Sequence, residues 1–368
     1  MTIAYDLRYA DGHYTGVGTH AYWLLRALLD RDGDERYVVL WSAPRKPRYD
    51  VSAIASHPRV EWVERPIRTM HPLEPLRLGA WLRERRPDVF LSPFYWIPLG
   101  APCPCLLTIH DLWPLRLPQD QDALRRFALR VIVEFSRRAR RIVTSSEFSR
   151  REICELMRLP AERVAVARLG VVPRAPVEPR RPPGLPEGRF ALVVGDNRPR
   201  KNLELLARVW AAFGDDPPLR LVGVGPANSR FPSLAALASR HGARGVHDLG
   251  WVPEDHLAWL YAHAEQLLYP TTYEGFGLPL TEAFDRGVPA IASDIPVLRE
   301  IGEGAVRFAS PSDPGAWLAA VRELASSSAE RARLRDADLE RAGELTYERT
   351  AETVLGLVRE VVKESGRT

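Results

Sequence analysis

Short runs of β-branched and apolar residues alternate with helix-length amphipathic segments along most of the chain. In the first half, Thr2–Asp6, Tyr37–Trp41, Val60–Glu64, Val89–Ser92, Leu106–Ile109 and Ile142–Ser145 read as strands. Stretches such as His20–Leu29 and Leu124–Ala139 between them read as helices. That alternation predicts parallel βα units with helices on both sheet faces, the α/β class. The segment Val171–Gly188 then carries six Pro, which fit neither helix interiors nor central strands. Beyond it the alternation restarts, with strands expected at Phe190–Val194, Leu219–Val224, Val246–Leu249, Leu267–Tyr269, Ala290–Ser293 and Val306–Phe308. A last amphipathic helix is expected over Tyr347–Val362. The pattern divides the chain into a Rossmann-like domain at 1–172, a Pro-rich linker at 173–188 and a second Rossmann-like domain at 189–345. A C-terminal helix at 346–368 has the option of packing back on the first domain. Two such sheets facing each other across a cleft, with ligands at the carboxyl ends of their strands, suit a two-substrate reaction.

Composition narrows the class. Of 368 residues, 45% are hydrophobic and 27% charged, which excludes a disordered chain. Fifty-one basic residues against 47 acidic give a net charge of +4, too little by itself to point to nucleic acid. No apolar run reaches the roughly 20 residues of a membrane span, and the N-terminus lacks the character of a signal peptide. Cys103, Cys105 and Cys154 fit neither a disulfide framework nor a zinc site. A cytoplasmic protein is expected. Only three basic residues are Lys: Lys46, Lys201 and Lys363. Nine Arg against two Glu between Arg125 and Arg151 read first as a solvated face. A peripheral position at the inner, anionic face of a membrane is the alternative.

The densest chemical signal is Tyr269-Pro-Thr-Thr-Tyr-Glu274-Gly275-Phe276-Gly277-Leu278-Pro279-Leu-Thr-Glu282-Ala283. A strand ends near Tyr269, a Gly-containing loop follows, and Pro279 suits the first turn of a helix. The amides around Gly275–Leu278 then lie at a helix N-terminus, which favours phosphate. Glu274 and Glu282 beside it would repel phosphate but could accept hydrogen bonds from sugar hydroxyls. Upstream, Gly195-Asp-Asn-Arg198-Pro-Arg200-Lys201-Asn202 joins a strand to a helix and offers two cations to a diphosphate.

These strings resemble the Glu-x7-Glu signature and the Arg/Lys pair of glycosyltransferase family 4, which comprises retaining enzymes of the GT-B fold. The resemblance implies that Glu274 contacts the transferred sugar, Gly275, Phe276, Gly277 and Leu278 the sugar and diphosphate, and Glu282 the ribose. It implies Arg200 and Lys201, preceded by Gly195, on the diphosphate, and Val252 in a segment whose backbone reads the base. Gly16 and Gly18 of Thr15-Gly-Val-Gly match its glycine-rich loop against the diphosphate and acceptor, and His110 matches a His at the transferred sugar. Ser146 borders the acceptor by the same resemblance, although Ser is also a common helix cap. The N-terminal domain would then bind the acceptor.

The implied reaction moves a hexose from a nucleoside diphosphate sugar to an acceptor hydroxyl with retention, the leaving phosphate helping to take the proton. The likeness tilts toward mannosyltransferases and GDP-mannose, with UDP-sugars as the alternative and a glycan, lipid-linked or small-molecule acceptor. No metal or cofactor is implied. Asp32-Gly-Asp34 reads as a solvated turn rather than a metal-binding DxD. A nucleotide-sugar epimerase of the same shape is the rival enzyme. An oxidoreductase is disfavoured, because Ala21 and Asn228 stand where dinucleotide fingerprints need a third Gly.

Overall fold

The structure is a computed structural model that describes residues 1–10, 15–42, 49–117, 123–173 and 177–366. Lys46 and the side chain of Arg125 lie outside the described residues. The chain divides into two units, Met1–Val172 with Thr346–Thr368, and Pro173–Leu345.

The first unit runs β1 (Thr2–Asp6), α1 (Thr15–Leu29), β2 (Arg36–Trp41), α2 (Ser52–Ala55), β3 (Val60–Glu64), α3 (Glu74–Arg85), β4 (Val89–Ser92), β5 (Cys105–Thr108), α4 (Trp113–Arg116), α5 (Ala123–Ser136), β6 (Arg141–Thr144), α6 (Glu147–Met157) and β7 (Val164–Val166). The second runs β8 (Phe190–Val194), α7 (Leu203–Phe213), β9 (Arg220–Val224), α8 (Leu234–His241), β10 (Val246–Asp248), α9 (Glu254–His263), β11 (Gln266–Tyr269), α10 (Leu278–Arg286), β12 (Ala290–Ser293), α11 (Pro296–Ile301), β13 (Val306–Ala309), α12 (Pro314–Ser326) and α13 (Ser328–Glu344). The last helix, α14 (Tyr347–Glu364), belongs to the first unit.

Both sheets are wholly parallel, so both faces must be covered and the central strands are buried and apolar, while the edge strands β3, β10 and β13 also carry exposed charged residues. The first has the order β3-β2-β1-β4-β5-β6-β7, the second β10-β9-β8-β11-β12-β13. In each, the order reverses once, between β1 and β4 and between β8 and β11. Loops leaving the carboxyl ends diverge at these places and leave room for a ligand.

Two assignments differ from the sequence pattern. Helix α1 begins at Thr15, not His20, so Gly16 and Gly18 lie in its first turn rather than in a loop. Helix α5 stops at Ser136, whose hydroxyl bonds back to the Ile132 carbonyl at 2.8 Å and reaches the Tyr95 carbonyl. Strand β7 at the sheet edge is too short to stand out in the pattern.

Helix α14 repeats apolar residues at helical spacing, and Tyr347, Ala351, Val354, Leu355, Val358, Val361 and Val362 join the core formed by β1, α1 and β2. The Thr346 side chain caps its first turn by accepting from the Arg349 amide. Arg359 bonds Glu35 at 2.6 Å, and Glu364 bonds Arg140 and Arg141 at 2.7 Å each.

A carboxyl group is buried in the second unit without a hydrogen-bond partner. Asp338 of α13 is fully buried, and neither carboxylate oxygen has a hydrogen-bond partner. Burial pushes its pKa up to about 8, against the opposing pull of Arg335. The folded state therefore holds this proton more tightly than the unfolded chain. Stability falls as pH rises from about 4, the unfolded value, to about 8, by up to roughly 1.4 kcal/mol per unit. Urea titrations of wild type and Asp338→Asn between pH 5 and 9 check this. The substitution flattens that part of the pH dependence, and parallel curves contradict it.

Candidate functional site

In the second unit the loops after the neighbouring strands β8 and β11 meet over the switch point. The first carries the turn Pro199–Lys201, and the second runs from Pro270 to Gly277. They are fastened by backbone: the Arg200 carbonyl accepts from the Thr272 amide at 2.8 Å. Asn202 holds a left-handed backbone (φ 54°), and its side-chain amide donates to the Pro270 and Pro311 carbonyls at 3.1 and 2.9 Å. This fastening places three charges together. Glu274 Oε1 lies 2.6 Å from Lys201 Nζ, 3.0 Å from Arg200 Nη1 and 3.0 Å from the Thr271 hydroxyl. The Lys201 ammonium also stands over the Tyr269 ring, 5.3 Å from its centroid.

The group is almost dry, with side-chain exposures of 13%, 11% and 11% for Arg200, Lys201 and Glu274. Burial alone would raise the Glu274 pKa, but Lys201 and Arg200 hold it down to about 2. Burial lowers the Lys201 pKa, and Glu274 opposes that. The carboxylate is thus ionised at neutral pH and ties up the inner side of both cations. Two cations against one carboxylate leave a formal excess of one positive charge.

Helix α10 starts beside this cluster. Gly277 caps it with a left-handed backbone (φ 115°), Pro279 sits in its first turn, and Gly275 and Phe276 are buried in the loop before it. Its N-terminus adds partial positive charge at the same edge. Glu282 lies one turn further on, where its Oε2 accepts from the Tyr261 hydroxyl at 2.8 Å. The Arg286 guanidinium covers that ring at 4.9 Å.

A pocket opens alongside, lined among others by Gly195, Asn197, Gly225, Pro226, Asp248 and Gly250. Gly225 must be glycine, because a Cβ there would lie 1.9 Å from the Gly195 carbonyl oxygen. Asn197 spans the pocket wall, donating from its amide to the Phe231 carbonyl at 2.9 Å and accepting from the Asn228 amide at 2.6 Å. Val252 follows two residues after Gly250 and is not among the lining residues. Arg198 pairs with Asp196.

In the first unit His110 leaves the carboxyl end of β5. Its carbonyl accepts from the Ser149 hydroxyl at 3.0 Å, and its ring makes a hydrogen bond to the Pro93 backbone. Burial lowers its pKa to about 4, partly offset by that bond, so the ring is neutral. Ser146 caps α6, accepting from the Ser149 amide at 3.1 Å. Gly18 presses the first turn of α1 against the preceding turn: a Cβ would lie 2.4 Å from the Tyr9 carbonyl oxygen. Neither Gly16 nor Gly18 has a positive φ, so at Gly18 the requirement is closeness rather than a special turn.

Two features escape the sequence reading. His20, on α1, is buried edge-on against His110 with ring centroids 4.9 Å apart. Neither of its ring nitrogens has a partner, and burial with His110 nearby keeps it neutral. Arg8 is fully buried between Asp6 and Glu74, at 2.7 Å from each. The Asp-x-Arg spacing at the end of β1 was the available signal for the first pair; Glu74 is 66 residues away. Among the described residues no three His, Cys, Asp or Glu gather to hold a metal.

The profile described as Glycosyltransferase Family 4 matches residues 14–175, and that described as Glycosyl transferases group 1 matches 178–341. O-antigen chain mannosyltransferase B of Escherichia coli is 31% identical over 268 residues, 69% of this chain and 68% of that protein. Among solved structures, sucrose-phosphate synthase from Thermosynechococcus elongatus superposes with a TM-score of 0.71 at 18% identity, covering 99% of this chain and 100% of that one. HepE from Anabaena, in complex with UDP and glucose, also gives 0.71 at 17% identity, covering 98% and 100%. With two wholly parallel Rossmann-like sheets, both halves matched by profile and a relative aligned over two thirds of its length, the chain belongs to glycosyltransferase family 4 and has the GT-B fold.

Proposed function

We propose that this glycosyltransferase moves mannose from GDP-mannose to a hydroxyl of a glycan or lipid-linked acceptor, retaining the anomeric configuration. The observation that carries the reading is the buried cluster of Arg200, Lys201 and Glu274 beside the N-terminus of α10. An entering diphosphate takes the excess positive charge of the cations and the helix end, while Glu274 turns toward a hydroxyl of the transferred sugar. The cations then stabilise the charge that develops on the departing nucleoside diphosphate, with no metal in the scheme. Glu282, held by Tyr261, binds the ribose hydroxyls. The base lies toward Asp248, Gly250 and Val252. In this reading Glu274 accepts from a sugar hydroxyl and does not act as a nucleophile, and the leaving phosphate takes the acceptor proton. In this reading His110, kept neutral by burial, is the first unit's hydrogen-bonding group for the transferred sugar. The mannosyl choice draws on the E. coli relative. A UDP-hexose is the second reading, favoured by the UDP and glucose bound to HepE.

Three outcomes test this. In a thermal-shift panel of GDP, UDP, ADP, TDP and their sugars, GDP and GDP-mannose raise the melting temperature most. Saturation at a hundred times Kd is worth about 2.7 kcal/mol. A larger shift with UDP selects the second reading, and a flat panel removes the donor assignment. Glu274→Gln lowers kcat by about 10²–10³-fold with GDP affinity changed only a few-fold, measured by GDP release and calorimetry. Lys201→Arg lowers kcat/KM by about tenfold or more, whereas Lys46→Arg leaves it within twofold. The Lys201 ammonium is almost dry and bonds Glu274 as a compact point charge at 2.6 Å, a contact that the planar guanidinium fork does not reproduce. Equal rates for the two variants contradict the special role of Lys201.

A further inference from the structure

Helix α5 is apolar on two opposite sides. Leu129, Ile132 and Val133 face inward and are buried in the first unit's core. Phe127, Val131 and Phe135, spaced four residues apart on the other side, are exposed by 67%, 38% and 38%. Inward packing needs only the first stripe, and a helix resting against water would carry polar residues on the second. The polar residues are confined to the edges of the outward stripe, and they are mostly cations. Arg126 and Arg130 have no acidic partner among the described residues. Arg138 stacks on Phe135, 4.8 Å from the ring centroid, and Glu134 is paired with Arg137.

The patch continues beyond the helix. The Ser136 hydroxyl, at the end of α5, donates to the Tyr95 carbonyl, and the adjacent Trp96 indole donates to the Met70 sulfur at 3.2 Å. Met70, Leu73 and Leu76, at the entry to α3, are exposed by 36%, 46% and 54%. Arg68 and Arg77 flank them, exposed and without acidic partners among the described residues. Two exposed apolar segments, joined through Tyr95 and Trp96, are thus each bordered by unpaired Arg.

We propose that the outward face of α5, with the Met70–Leu76 turn, lies in the interface of an anionic lipid bilayer. Phe127, Val131 and Phe135 enter the acyl boundary, and Arg126, Arg130, Arg68 and Arg77 sit on lipid phosphates. The outward stripe is the convex side of a helix and not a groove, so it suits a soft apolar layer better than a protein side chain needing a pocket. The unpaired guanidiniums select negative headgroups. Among the described residues no helix is long and apolar enough to cross a membrane, so the attachment is peripheral. The inference is independent of which donor the enzyme uses.

Flotation of the full chain with phosphatidylcholine vesicles, with and without 30% phosphatidylglycerol, tests it. The protein floats with the anionic vesicles at 0.1 M NaCl, and 1 M NaCl releases it. Phe127→Ser/Phe135→Ser and Arg126→Glu/Arg130→Glu each weaken partition by at least about tenfold, with melting temperatures within 2 °C of wild type by design (~ the spread expected for exposed sites). Should the serine variant unfold, Phe127→Trp serves instead, and brominated lipid quenches it more than wild type. No binding to anionic vesicles overturns the proposal, as does binding that both double variants retain. A wild-type dimer in sedimentation velocity, lost in the serine variant, also overturns it, because a second copy then covers the stripe.

Discussion

Every strand in each sheet runs the same way, and the rest of the molecule follows from that constraint. A parallel sheet sends every outgoing loop to one edge, and a single reversal of strand order opens a gap between two of them. In the second unit this brings together Lys201 and Glu274, which stand 73 residues apart in the chain. In the first it brings His110, from the end of β5, against His20, from the helix after β1. The chemistry is concentrated in the loops because the central strands, covered on both faces, are buried and almost wholly apolar.

The ionic cluster at Glu274 shows how two cations are kept buried and charged. Two buried cations with no counter-ion would cost several kcal/mol in desolvation. The carboxylate offsets that cost, so Arg200 and Lys201 are held in place and charged. One carboxylate against two cations leaves the balance short by one negative charge, and a diphosphate is better matched to that deficit than any neutral ligand.

Much of this was legible in the sequence where a local rule decides the outcome. The strands at Thr2–Asp6, Phe190–Val194 and Ala290–Ser293 lie where their apolar runs stand. The Gly-Leu-Pro start of α10 fixes that helix end. The start of α1 was misplaced because its two Gly look like a loop, while the folded chain needs Gly18 for its closeness to the Tyr9 carbonyl. The ion pairing of Glu274 with both cations could not be read, because motif spacing says which loops share an edge and not which side chains touch. His20 and Glu74 were missed for a related reason. Each draws its meaning from a partner distant in sequence, and a lone His or Glu at a helix start looks like any other.

The return of α14 to the first unit means that this unit is closed by a segment made after the whole second unit. During synthesis β1 and α1 emerge with one side of their core uncovered, and the whole second unit is translated before Tyr347, Val354 and Val358 arrive to cover it. The second unit, continuous from Pro173 to Leu345, has no such debt to later sequence. The order of completion therefore inverts the order of synthesis, and the early half spends its time on the ribosome with an apolar face open to chaperones.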